Sequence, residues 1–103
     1  MSLEYGREIA ERTLTYLSGA EDPLSRILKG WSEIDLVGPG DVNPEIYHQV
    51  KSWKERYLKA NPPGSKDWNE DELKHTVRSL SEDLVSICCE IIENNSILIS
   101  SKA

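Results

Sequence analysis

Six apolar residues, Leu73, Val77, Leu80, Leu84, Ile87 and Ile91, recur at intervals of 4, 3, 4, 3 and 4. That alternation is a heptad seam of nearly three repeats, and only a helix puts all six on one side. Val85, Cys88 and Ile92 widen the stripe on one flank. A stripe broader than a coiled-coil seam faces two neighbours, so the spacing predicts a helix over about 67–93 packed among antiparallel helices. Asp67, Glu70, Asp71 and Glu72 crowd its first turns, where the helix dipole favours negative charge.

The rest of the chain is punctuated into three more helical segments. Between 3 and 18, Leu3, Gly6, Ala10, Thr13, Leu14 and Leu17 share a face. Tyr5, Ile9 and Tyr16 extend it, Glu4, Arg7, Glu8, Glu11 and Arg12 oppose it, and Gly19 supplies a stop. Asp22-Pro23 opens the second segment as N-cap and first helical residue, followed by Leu24, Ile27, Leu28 and Trp31. Asn43-Pro44 repeats the signal before the seam Ile46, Val50, Trp53 and Tyr57, which stops ahead of Asn61-Pro62-Pro63-Gly64. Asn94-Asn95 is expected to end the fourth helix, leaving 94–103 as a tail that carries Ile97-Leu98-Ile99. The only β arrangement on offer is a two-strand ribbon pairing 33–37 with 96–100. The expected fold is all-α: a small three- to four-helix antiparallel bundle in one domain, 1–103, with that ribbon as a minor addition.

Charge is unevenly placed. The 103 residues carry a net charge of −6, yet residues 44–66 hold five basic and two acidic groups, and 67–95 hold eight acidic and two basic. The basic third helix and acidic fourth helix are therefore expected to be antiparallel neighbours. Lys51, Lys54, Arg56 and Lys59 are spread around the third helix rather than aligned, and the total is acidic, which argues against nucleic acid as a partner. No stretch approaches the roughly 18 apolar residues of a membrane span, so no membrane partner is expected. Glu4, Arg7 and Glu8 interrupt any signal-like apolar run, and two adjacent cysteines make no disulfide framework. Both points favour a cytoplasmic location.

Two constellations bear on chemistry. Glu45-x-x-His48 and Glu72-x-x-His75 repeat a spacing that puts a carboxylate and an imidazole on one helical face. It resembles the ligand motif of ferritin-like di-metal proteins, which implies an iron- or manganese-type centre if the four residues converge. On a helical wheel, however, both histidines oppose the apolar seams of their own helices. Glu8/Glu11 and Glu90/Glu93 each give Glu-x-x-Glu, which resembles the magnesium-holding motifs of all-α nucleotide pyrophosphatases of the MazG type, although the Glu-x-x-Asp half is absent. Cys88-Cys89 point about 100° apart on a helix, unsuited to a mutual disulfide. Gly38-Pro39-Gly40 matches no phosphate-binding pattern.

No catalytic set, cofactor or resident metal is therefore expected. The sequence favours a non-enzymatic module binding another protein, of basic surface, through Trp68, Glu70, Asp71, Glu82, Asp83 and Glu90. The alternatives are a homodimer built on the seam Leu73–Ile91, and a metal-dependent helical enzyme using the Glu-x-x-His or Glu-x-x-Glu pairs.

Overall fold

The computed structural model describes residues 2–60 and 70–102. Among them are four helices and no strand: α1 (Leu3–Leu17), α2 (Pro23–Ile34), α3 (Pro44–Ala60) and α4 (Glu70–Lys102). Local caps set the starts. Ser2 Oγ accepts the Tyr5 N–H at 3.0 Å, Asp22 Oδ1 accepts the Ser25 N–H at 3.1 Å, and Asn43 Oδ1 accepts the Ile46 N–H at 2.8 Å. Each satisfies an amide that has no partner within its helix. At the end of α1, the Ser18 and Gly19 N–H groups close onto Leu14 and Tyr16.

Two expectations are corrected. Residues 33–37 are not a strand: Glu33 and Ile34 finish α2, and the N–H groups of Leu36 and Val37 fold back onto Glu33 and Ile34. Residues 96–100 are not a strand or a tail either, because α4 runs through Asn94-Asn95 to Lys102. Asparagine stops helices by competing for nearby backbone groups. Here both side chains are engaged elsewhere. Asn95 Nδ2 donates to Leu3 O at 3.0 Å and Asp41 O at 2.8 Å, and Asn94 Oδ1 accepts from Asn43 Nδ2 at 3.1 Å. With Asn95 Nδ2 and Asn94 Oδ1 held by distant parts of the chain, and Asn95 Oδ1 buried without a partner among the described residues, the helical backbone continues.

At 33 residues, α4 is about 50 Å long. It spans the 51 Å long dimension of the molecule, and the other three helices pack along it. Leu3 meets Asn95, Arg7 meets Ser96, and Thr13 meets Cys88, so α1 runs antiparallel to α4. Asn43 meets Asn94, and Trp53 Nε1 donates to Leu80 O at 2.9 Å, so α3 does likewise. Gly30 brings α2 against Leu84 and Leu17. The α2–α3 gap is filled by aromatic rings: Trp31 stacks on Tyr57 at 4.6 Å between centroids, and Trp53 stacks on Tyr57 at 5.5 Å. Val77, Leu80, Leu84, Ile87 and Ile91 are buried in this core with Ile46, Val50, Trp53 and Tyr57. The seam proposed for a homodimer is thus already covered by the chain's own helices; the Leu73 side chain lies outside the described set.

One junction fixes how α1, the 38–42 loop and α4 meet. The buried Asp41 carboxylate accepts the Ser2 N–H at 2.9 Å and the Gly38 N–H at 2.8 Å, while its carbonyl accepts Asn95 Nδ2. Gly6 is required here: a Cβ would sit against the Asp41 carbonyl oxygen and 2.9 Å from Asn95 Nδ2.

Candidate functional site

The groove between α3 and α4 holds both histidines. Arg56 Nη2 crosses it to Asp83 Oδ2 at 2.7 Å and divides it into two open cavities of about 350 and 370 Å³. His48, Gln49, Ser52 and Ser86 line one; Lys59, His75, Thr76 and Ser79 line the other. His48 precedes Arg56 by eight residues, and His75 precedes Asp83 by eight. Because the helices are antiparallel, those offsets diverge, placing the imidazoles about 24 Å apart along the axes at 1.5 Å per residue. They cannot share an ion.

The other metal candidates are equally separate. Glu45 is exposed in the first turn of α3, and the Glu72 side chain lies outside the described set. Glu8 pairs with Arg12 at 3.1 Å and Glu11 with Arg7 at 3.9 Å. No group of three or more His, Cys, Asp or Glu gathers in metal-holding geometry among the described residues. Nor does a hydrogen bond join His48, Ser52 and Asp83 there; Asp83 is held by Arg56. Cys88 is buried against Thr13, and burial pushes its thiol up to about 12, so it stays a protonated, unreactive thiol at neutral pH. Cys89 is exposed.

The expected acidic face is divided. Asp83 lies in the α3–α4 groove, neutralised by Arg56, whereas Glu82 projects elsewhere on α4 and pairs with Arg78 at 3.1 Å. Glu90 is exposed. Trp68 lies outside the described residues, as do the side chains of Glu70 and Asp71.

Because α4 continues through Asn94-Asn95 to Lys102, it carries a second row of residues beside the core seam. Val85, Cys89, Ile92, Ser96 and Ile99 are spaced 4, 3, 4 and 3, a second seam beside the buried one. Val85 is 39% exposed, Cys89 is exposed, and Ile92, Ser96 and Ile99 are half-buried. The stripe borders α1 at Arg7, whose guanidinium donates to Ser96 Oγ at 3.4 Å. Towards its C-terminus, Ile97 and Leu98 are also exposed, so apolar groups surround much of the helix. Contrary to the sequence expectation, Lys74–Ser101 contains an 18-residue window apolar enough, by length and composition alone, to cross a membrane, and 28% of it is buried within the chain. Comparisons with known proteins return no match to a family model, to a curated protein or to a solved structure.

Proposed function

We propose that the protein is a non-enzymatic interaction module, an antiparallel four-helix bundle that offers the second seam of α4 to a partner protein. The supporting observation is the mismatch between the composition of α4 and its burial. A helix that is apolar on more than one side is stable when more than one side is covered. One side of α4 carries the core seam; the Val85–Ile99 side is only partly covered by the chain, with Val85 and Cys89 exposed and Ile92, Ser96 and Ile99 half-buried. A protein surface suits it better than a lipid phase, because Glu90, Glu93, Asn94 and Asn95 interrupt the apolar window and Asn95 is bound to two carbonyls of the same chain. Two free thiols suit a reducing, cytoplasmic setting.

The test is site-specific photocrosslinking in the cells that make the protein, with the photoreactive residue at Val85 and, as reference, at exposed Glu55 on α3. A discrete higher-mass adduct from Val85 and none from Glu55 is expected. Equal labelling from the two positions, or none from Val85, would overturn the proposal.

A further inference from the structure

The charges bordering the α4 stripe point to its occupant: we infer that it is an amphipathic helix of another protein, with Lys or Arg flanking its apolar seam. The inference rests on the reading of this stripe as a docking face. Val85, Ile92 and Ile99 are one heptad apart, with the smaller Cys89 and Ser96 between them. Such a row of ridges and recesses accommodates the side chains of a helix laid alongside. From Val85 to Ile99 the stripe runs about 21 Å at 1.5 Å per residue, the length of roughly four helical turns.

Charge then distinguishes a foreign helix from a second copy. On the α1 side the stripe is bordered at Arg7, with Glu4 and Glu11 one turn away on the same face of that helix; on the outer side of α4 lie Glu82 and Glu93, and Arg78 stands one heptad before Val85, in line with the stripe. Arg7 is tied to Glu11 and Ser96, and Arg78 to Glu82. Glu4 and Glu93 have no counter-ion among the described residues, so one uncompensated carboxylate lies on each side. A second copy would bring the same carboxylates and a further net charge of −6. A helix with cations on both flanks would neutralise them. Opposed rim charges accelerate association and reject partners of the wrong sign.

The probe is an 18-residue labelled helical peptide with Leu at heptad positions a and d and Lys at e and g; a counterpart has Glu at e and g. Fluorescence anisotropy against the full chain is read at low and moderate salt, alongside sedimentation of the chain alone. The Lys peptide is expected to bind at least about tenfold more tightly than the Glu peptide, with the advantage shrinking as salt rises. Neutralising both carboxylates (Glu4→Gln with Glu93→Gln) should weaken Lys-peptide binding several-fold, as should Glu93→Lys alone, while Glu55→Lys on α3 leaves it unchanged. Circular dichroism confirms that each variant is folded. Equal binding of the two peptides, or an equal loss with Glu55→Lys, overturns the inference. So does a dimer of the unmodified chain that Val85→Asp dissociates, since the occupant is then a second copy. If neither peptide binds but Val85 still crosslinks a different protein, the docking face stands and the basic-helix inference falls. If Val85 also gives no adduct, both fall.

Discussion

Replacing Asn95 by alanine sets two effects of opposite sign against each other. Alanine is the better helix former, by roughly 0.5 kcal/mol, so if α4 were held by local preference the variant would be more stable. Its tertiary role predicts the reverse. Asn95 is fully buried, and its Nδ2 donates to Leu3 O and Asp41 O. Leu3 O lies in the first turn of α1, whereas Asp41 O lies in a loop and is left without a donor among the described residues once the amide is gone. An orphaned buried carbonyl costs about 1–3 kcal/mol, and loss of the second bond adds about 0.5–1.5 kcal/mol. After subtracting the propensity gain the loss is about 1–4 kcal/mol; removal of the buried Asn95 Oδ1, which has no partner among the described residues, offsets part of it, so Asn95→Ala should destabilise by about 1–2 kcal/mol, or about 4–16 °C in Tm for a domain of this size. Asn94→Ala, which loses one part-buried bond to Asn43, should cost under about 1 kcal/mol. Urea unfolding followed by circular dichroism and tryptophan fluorescence measures both. A neutral or stabilised Asn95→Ala variant would refute the explanation for the continuation of α4.

Other consequences follow from the same junction and core. Gly6→Ala should cost at least about 2 kcal/mol despite the better helix former, because the new Cβ meets the Asp41 carbonyl; the same unfolding assay checks it. Burial raises Cys88 from its ordinary 9.0 to about 12, so the unfolded chain releases that proton first as pH rises. The stabilisation is complete below about pH 9 and should be lost towards pH 12, at up to about 1.4 kcal/mol per pH unit for this group. Unfolding curves at pH 8 and 10.5, compared with Cys88→Ala under reducing conditions, isolate it, since only the parent should show this part of the slope. Asp83→Ala breaks a half-exposed ion pair with Arg56 and should change stability by less than about 1 kcal/mol in thermal unfolding.

Much of the architecture was legible because its signals are local. Asp22-Pro23 and Asn43-Pro44 begin α2 and α3 where the caps said they would, and the buried seam of α4 follows the 4-3 spacing from Val77 to Ile91. The wheel placement of His48 and His75 on outer faces agrees with their exposure. The misreadings have a common cause in distant partners. Asn94 and Asn95 look like a stop until Asn43, Leu3 and Asp41, residues 51 to 92 positions away in sequence, occupy their side chains. That apparent stop also hid the second seam, whose spacing is plain once the helix is allowed to reach Ile99. The pairing of Asp83 and Glu82 with different cations was hidden for a related reason. Counting charges per segment cannot reveal that Arg56 meets Asp83, because that depends on the register of α3 against α4.

The account depends above all on the Val85–Ile99 stripe being open in the isolated chain and covered where the protein works. Cys89 lies within that stripe, one turn from Val85, and is exposed, while Cys88 is buried, so the native sequence already carries the probe. The direct measurement is the alkylation rate of Cys89 in purified protein and in intact cells, each normalised to a cysteine introduced at exposed Glu55. At least about a tenfold slowing at Cys89 in cells, with no comparable slowing at position 55, is the predicted result. Equal normalised rates in the two settings would contradict the account.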